Sequence, residues 1–251
     1  MFFGTTFYLL GTKMIKVNAL ALKSVDYRDN DKMISLYSLE KGLIGACVRG
    51  AKKAGAKLGV CTQPFCFAEY VLNEKNDRLT VTGATEIESF YNIRLNLHSF
   101  YAGCCILEFL LKFTDADAPD EKTFLLVVDS LKKLNFADGL PERVLVDFLY
   151  KQTEISGYAL GEAECSCCGK KAEDFKKAYF DPESATIVCE DCFTVGMREI
   201  LVDTARGLAK IAEVKEVEPA ALKYLLKFLN YYFRIKTGEY IYSIDQLIEL
   251  P

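Results

Sequence analysis

Two pairs of closely spaced cysteines offer the clearest chemistry in this sequence. Cys165 and Cys168 form one C-x2-C pair, and Cys189 and Cys192 form a second pair after twenty intervening residues. Four thiolates on two tight turns can converge on one ion and fill a tetrahedral shell, which is typical of a closed structural zinc site. The sequence therefore predicts one Zn2+ held by these four cysteines; four free or disulfide-bonded thiols are the alternative.

Two further residues bear on the type of metal site. Cys167 is a spare thiol inside the first pair, but a pair formed by Cys165 and Cys167 would have the rarer spacing. Catalytic zinc usually has histidine or carboxylate ligands and keeps one position open for water. The one histidine, His98, is far from the cysteines in sequence, and the chain has no phosphate-binding loop or nucleophile-elbow motif. We therefore expect a structural metal and no enzymatic activity.

A basic segment is the second informative feature. Arg49, Lys52, Lys53 and Lys57 are separated only by glycine, alanine and one another. Small neighbours would let a phosphate backbone approach, and four cations could neutralise several phosphates. Aromatic side chains could stack on unpaired bases if they lie near a face of the β-barrel predicted below. The candidates are Tyr37, Phe65, Phe67 and Tyr70. A solvated loop beside ordinary core aromatics is the alternative.

Charge and composition limit the class of protein. The 251-residue chain has a formal net charge of −4, yet residues 1–85 hold 12 basic and 7 acidic residues. This asymmetry predicts that residues 1–85 and the remainder of the chain have different partners. Ten cysteines without an export signal indicate a reducing compartment, and no apolar run approaches the ~20 residues of a membrane helix. Met14 is the expected working start, with residues 1–13 as a weakly ordered extension.

Residues 14–88 have the pattern of β structure. Polar or glycine-containing loops separate five strand candidates, at residues 15–25, 32–38, 43–48, 65–72 and 79–86. Five strands within about 75 residues, with connections of mixed length, are typical of an OB-type barrel. An unrelated five-stranded barrel of the SH3-like type is the rival. We expect this part to be an OB-fold nucleic-acid-binding domain.

Residues 89–251 have the apolar spacing of a helical domain that contains the cysteine motif at residues 165–192. Pro119, Pro141 and Pro219 fit first helical positions, and Gly238 fits the end of a helix. Further helices are predicted at residues 193–212 and 243–250, and a hairpin between the cysteine pairs at residues 176–180 and 185–188. The predicted fold class is α+β: an N-terminal five-stranded OB-type β-barrel followed by an α-helical domain with an inserted four-cysteine zinc-binding motif.

The order of these features is similar to that of the RecO family of bacterial recombination mediators. The similarity is carried by residues 17–32, by Glu40-Lys41-Gly42-Leu43-Ile44 and by Val48-Arg49-Gly50-Ala51-Lys52-Lys53. It continues through Leu58-Gly59, Gln63-Pro64-Phe65 and the C-x-x-C-G…C-x-x-C motif. The resemblance covers roughly residues 14–250.

This resemblance implies a DNA repair and homologous recombination mediator without enzymatic turnover. RecO proteins bind single- and double-stranded DNA, anneal complementary strands, and act with RecR to load RecA onto DNA coated by single-strand-binding protein. A bacterial cytoplasmic, nucleoid-associated location without a membrane partner follows from the same likeness. Carried over by position, the DNA-contact candidates are Arg28, Lys32, Arg49, Lys52, Lys53 and Lys57. The alternative function is a zinc-containing protein–protein adaptor without direct DNA binding.

Overall fold

The computed structural model describes residues 6–9, 12–53, 55–56, 58–160 and 164–251. The chain forms two compact units. The first consists of Met1–Asn96 and Ile106–Asn135, and the second of Leu97–Cys105 and Phe136–Pro251. The first unit therefore extends beyond the β structure into two helical segments, whereas the sequence placed a single boundary between residues 88 and 89.

A closed ring of five strands forms the centre of the first unit. The ring belongs to a six-stranded sheet, of which β1 lies outside the ring. The six strands are β1 (Thr6–Leu9), β2 (Thr12–Tyr27), β3 (Asp31–Ser38), β4 (Gly42–Val48), β5 (Phe67–Lys75) and β6 (Arg78–Glu88). Strand β2 pairs with both β3 and β5, and β4 pairs with β6 in parallel. The ring β2-β3-β4-β6-β5 thus has no open edge, as in a small barrel of the OB type. The predicted α+β class with an N-terminal barrel is confirmed.

Alternating side chains explain why these segments form a barrel. On β4, Ile44, Ala46 and Val48 are buried, whereas Gly45 and Cys47 between them are more exposed. The buried set joins apolar residues of the other strands in one core, as expected when successive side chains point to opposite faces. A register shift between Ala21 and Lys23 marks an irregularity in β2 where it pairs with β3. Such bulges bend a strand and help a sheet to close.

Part of the segment expected to be a weakly ordered extension, residues 1–13, pairs with the sheet. Thr6–Leu9 forms β1, which pairs antiparallel with the first residues of β2. Backbone hydrogen bonding to an existing strand is the physical reason, since it satisfies groups that an isolated segment would leave to water. Strand β2 accordingly begins at Thr12, before Met14.

One helix of the first unit packs on the barrel. The ring of Phe124 lies 6.1 Å from that of Tyr37 and 5.8 Å from that of Phe67, measured between centroids. Phe124 belongs to α2 (Glu121–Phe136). The Asp120 carboxylate accepts the backbone N–H groups of Lys122 and Thr123, which satisfies donors that the helix start leaves unpaired. The helix therefore begins after Asp120, not at Pro119 as predicted.

The second unit combines helices with a small sheet. Its elements are the beginning of α1 (Leu97–Phe113), α3 (Pro141–Ile155), β7 (Ala178–Asp181), β8 (Thr186–Cys189), β9 (Arg198–Ile200), α4 (Val202–Ala212), α5 (Pro219–Thr237) and α6 (Ser243–Glu249). Pro141 and Pro219 open their helices and Gly238 follows the end of α5, as predicted. The predicted hairpin is β7 paired with β8. No helix among the described residues is both long and apolar enough to cross a membrane.

The helix predicted at residues 193–212 is wrong in its first half. Residues 198–200 form β9, which pairs with β7, and the helix begins only at Val202. Gly196 takes a φ of +106°, which lies outside the right-handed helical region. The chain therefore turns before residue 198 and adds a third strand to the hairpin that carries the second cysteine pair.

Candidate metal centre and nucleic-acid interface

Two turns of the second unit bring four cysteines together. Cys165 accepts a backbone hydrogen bond from Gly169 and donates one to Lys170, which closes the first turn. Gly169 has a φ of +70°, a conformation that favours glycine. The second turn starts at Cys189, the last residue of β8, and the N–H of Ser166 donates to the carbonyl of Ile187 on the same strand. This bond holds the first turn beside the second.

The geometry of the four sulfurs suits a metal ion. The Sγ atoms of Cys165, Cys168, Cys189 and Cys192 all lie within 4.8 Å of one another, and those of Cys168 and Cys189 are 3.7 Å apart. Sulfurs bound at ~2.3 Å around a tetrahedral zinc would be ~3.8 Å apart. A disulfide would need an S–S distance of ~2 Å, and all four cysteines are free. The cluster could therefore hold a metal ion. Tetrahedral sets of four sulfur donors select zinc or iron–sulfur chemistry.

Burial and neighbours affect the four thiols differently. Burial opposes ionisation of Cys165, but backbone N–H groups of Cys189, Cys168 and Cys167 outweigh it and lower the pKa of Cys165 to about 6. Burial raises the pKa of Cys189, and hydrogen bonds with Cys168 and Cys165 raise that of Cys192. Several thiolates cannot share this small volume without a compensating charge. A bound cation supplies that charge, so the donor set fits a metal.

Charged residues next to the cysteines join the two turns. The Nζ of Lys170, after the first pair, is hydrogen-bonded to Glu190 and lies 3.3 Å from Asp191, both inside the second pair. Glu190 also accepts the backbone N–H groups of Lys176 and Lys177. Its interaction with Lys170 lowers the pKa of Glu190 to about 2. Such contacts around a metal site orient its ligands.

Cys167 is not a member of the four-sulfur cluster. Its side chain is exposed, and its sulfur lies 4.0 Å from the hydroxyl of Ser166. The spacing argument for Cys165 and Cys168 as the first pair agrees with this placement. That Cys167 takes no part in metal binding stays a prediction.

A groove on the barrel gathers basic residues from distant parts of the chain. It has a volume of about 810 Å³ and is lined by residues of β2, β3, β4, β5 and β6 and of the turns between strands. Met33, Gly45 and Cys47 are among its strand residues. The basic residues that line it are Arg28, Arg49, Lys75 and Arg78. The carboxylates of Asp31 and Asp77 reduce this charge. The groove, called the first groove below, retains a positive excess of two.

One aromatic ring is available in the first groove. Tyr27 is 39% exposed, and the guanidinium of Arg28 lies 5.0 Å from its ring centre. Exposed aromatic rings beside cations can stack on bases while the cations contact phosphates. The first groove therefore has both elements of a site for single-stranded nucleic acid.

Hydrogen bonds fix the basic segment against the turn between β2 and β3. Asp31 accepts the backbone N–H of Gly50 at 2.8 Å, and the carbonyl of Asn30 accepts the N–H of Lys52 at 3.0 Å. The Nζ of Lys52 lies 2.7 Å from the carboxylate of Asp26. This hydrogen bond holds the pKa of Asp26 below its usual value. Lys52 is thus already paired with an acidic neighbour.

Comparison with known proteins places this geometry in a family. The sequence model described as "Recombination protein O N terminal" matches residues 13–90. The model described as "Recombination protein O C terminal" matches residues 94–243. The chain belongs to the RecO family. Together the two matches span both the barrel and the cysteine cluster.

Similar RecO proteins cover nearly the whole chain. The "DNA repair protein RecO" of Desulforamulus reducens is 30% identical over 244 residues, which are 91% of this chain and 94% of the relative. That of Bacillus pumilus is 25% identical, covering 92% of each chain. The protein of the same name from Clostridium novyi is 28% identical over 82% of this chain and 80% of its own. The resemblance to the RecO family predicted from sequence is confirmed.

The structure distributes the DNA-contact residues predicted for this RecO chain over several places. Arg28 and Arg49 line the first groove, and Lys53 is exposed on the basic segment. Lys32 lines a different cavity. Lys57 lies outside the described residues. Their roles stay predictions. Lys75 and Arg78 were not among the DNA-contact candidates named from the sequence. Their positions on either side of a turn, in the part of the chain with a positive net charge, could have indicated them.

The aromatic residues proposed for base stacking are in the wrong place for it. Tyr37, Phe65 and Tyr70 are buried, and Phe67 packs edge-on against Phe124. The hydroxyl of Tyr70 donates to the carbonyl of Cys61 at 2.6 Å inside the barrel. These rings stabilise the core of the RecO barrel, because a ring already covered by side chains offers no face to a base. Among the residues of the first unit whose side chains the structure describes, the exposed tyrosines are Tyr27 and Tyr91.

Proposed function

We propose that this chain is a DNA repair and recombination mediator that binds single- and double-stranded DNA through the first groove and anneals complementary strands. The observation that carries the proposal is the convergence of Arg28, Arg49, Lys75 and Arg78 around one exposed tyrosine. Membership of a family whose relatives are named DNA repair proteins supports it. Cations in the groove would displace counterions from phosphates, which drives binding without sequence preference.

Annealing follows from the same electrostatics. Two strands repel each other through their phosphates, and a surface that neutralises both lowers that repulsion. No bond in the DNA is made or broken, so the proposal assigns the chain no enzymatic activity. The proposal includes action with RecR to help load RecA onto DNA coated by single-strand-binding protein, with these proteins as partners in the bacterial cytoplasm.

The cysteine cluster has a structural role in this proposal. One Zn2+ would be held by the four sulfurs of the cluster, whose spacing and donor type match such a site. All four positions would be filled by thiolates, so no position remains open for water or substrate. When bound, the ion stabilises the two turns and the three-stranded sheet. Lys170 and Glu190 then keep the turns in register.

The alternative is a zinc-containing protein–protein adaptor without direct DNA binding. Exposed apolar side chains after the second cysteine pair favour it: Phe193, Val195 and Leu201 are largely accessible. Mobility shifts with single- and double-stranded DNA at several salt concentrations, together with annealing of complementary oligonucleotides, separate the two functions. A mediator shifts both forms of DNA at low salt and accelerates annealing. An adaptor does neither, and that result would overturn the proposal.

A further inference from the structure

A second cavity lies on the barrel, with a volume of about 590 Å³. Its lining includes Lys32 of β3, Val60 and Gln63 near the turn after the basic segment, and Tyr91 and Arg94 of the one-turn 3-10 helix Tyr91–Leu95. All of these residues belong to the first unit. Pockets of 300–1,000 Å³ are the usual size for small organic groups such as a base with its sugar.

Strand geometry separates this second cavity from the first groove. Asp31 and Met33 line the first groove, and Lys32 between them lines the second cavity. This division follows from the alternation of side chains along β3. The basic segment shows the same division, since Arg49 lines the first groove and Ala51 lines the second cavity. The two depressions therefore flank the start of β3 and share the basic segment.

The second cavity has the same chemical ingredients as the first groove. Tyr91 is 61% exposed, so its ring offers an accessible face. Lys32 and Arg94 supply two cations against the single carboxylate of Glu86. Gln63 adds an amide that can form hydrogen bonds with either a base edge or a phosphate.

Arg94 is held in place before any ligand arrives. Its guanidinium donates to the carbonyl of Pro64 at 2.5 Å and lies 5.4 Å from the ring centre of Phe65. A guanidinium has five N–H donors in a fixed plane, so donors remain for a phosphate. Because the side chain is already ordered, binding a phosphate would cost little conformational entropy.

We infer that the second cavity binds a second single strand of nucleic acid, with a base stacked on Tyr91 and phosphate oxygens at Lys32 and Arg94. This inference rests on the proposed function, in which the first groove takes one strand. With both sites filled, one chain holds two strands beside the same basic segment. The search of one strand for its complement then becomes intramolecular, which raises the effective concentration of pairing bases.

Binding stoichiometry tests the inference directly. The probe is a single-stranded oligonucleotide of about four nucleotides, the lower end of the site sizes of one OB fold, so that one molecule fills one site. We expect two oligonucleotides per wild-type chain, one per K32A/Y91A chain and one per R49A/R78A chain. The matched control is L125A/K132A, which removes one cation and one exposed apolar side chain from α2 outside both cavities. It should bind two.

Annealing rates provide the second readout. In K32A/Y91A, annealing of complementary strands should fall at least ~10-fold, whereas the remaining site should bind its oligonucleotide within ~3-fold of wild type. Tyr91→Ser alone should also slow annealing. It replaces K32A/Y91A in this test if the double variant does not fold. One oligonucleotide per wild-type chain, or wild-type annealing by folded K32A/Y91A, would overturn the inference while leaving the first groove intact. Wild-type protein that binds no oligonucleotide would overturn the proposed function as well.

Discussion

The cysteine cluster and the first groove hold their ligands by opposite physical means. The cluster is compact and partly buried: Cys165 and Cys189 are nearly inaccessible, and its four sulfurs lie within 4.8 Å of one another. The groove is open and lined by side chains that reach into solvent, such as Arg49 and Arg78. A metal in the cluster would be an integral part of the fold, whereas a strand in the groove would be exchangeable.

This difference determines which perturbation each site should resist. Metal binding to cysteines contributes directly to folding, because the preformed site does not exist in the unfolded chain. Phosphate binding by exposed cations depends on counterion release, so it weakens steeply with salt. We therefore expect a chelator to destabilise the second unit, and salt to remove DNA without removing metal.

The largest effect should come from breaking the cluster. Replacing Cys189 by Ser removes a buried ligand at the end of β8. The variant should lose its metal and more than ~4 kcal/mol of unfolding free energy in the second unit. Metal analysis and thermal unfolding monitor the two effects. Full metal content together with wild-type stability would show that the ligand set is wrong.

Cys167 is the matched control for that experiment. It lies in the same turn but outside the four-sulfur cluster, and its side chain is exposed. Cys167→Ser should keep one zinc per chain and the wild-type unfolding temperature. A loss of metal equal to that of Cys168→Ser would show that the first pair uses Cys167.

A smaller but measurable effect should follow from removing charge in the first groove. In the double variant R49A/R78A, the first groove should bind single-stranded DNA at least ~10-fold more weakly at low salt, and the salt slope of that site should fall by about 1.4. Zinc content and unfolding temperature should stay near wild type, because both side chains are exposed. K122A/K132A removes the same charge from α2 and should leave affinity unchanged. Equal losses in both variants would mean that net charge, not the groove, governs binding.

The smallest effect concerns the ion pair between Lys52 and Asp26. Because Lys52 is already paired at 2.7 Å, it should contribute less to phosphate binding than its charge suggests. Asp26→Asn should raise affinity for single-stranded DNA by about 3-fold, a size typical of exposed pairs. Adding Lys52→Ala to that variant should remove the gain. An equal gain in D26N with and without Lys52 would assign the effect to general charge.

Local spacing allowed the cysteine cluster to be predicted from the sequence, but it did not allow the first groove to be predicted. The cysteine pairs close turns of a few residues, so their convergence follows from spacing alone. The first groove depends on the parallel pairing of β4 with β6, which matches Ala46 with Leu79 and Cys47 with Thr80. Strands that are not neighbours in sequence form this pairing, and no local pattern identifies it.

Alternation predicted the strands but not which of their faces would be covered. Tyr37 and Tyr70 alternate with their neighbours, yet both are fully buried. Tyr37 is covered because Phe124 of α2 packs against it, and the sequence pattern of β3 holds no information about a helix more than 80 residues away. The false helix at residues 193–201 has a similar origin, since pairing of β9 with β7 overrides local preference.

The dependence of DNA affinity on salt tests the central claim most directly. If the four cations of the first groove each contact one phosphate, the logarithm of the association constant for single-stranded DNA should fall with the logarithm of salt concentration at a slope of about −2.8. The measurement uses wild-type, zinc-loaded protein and a labelled oligonucleotide at several salt concentrations. A slope near that value supports binding through the groove. A slope near zero, or no binding at low salt, would contradict it.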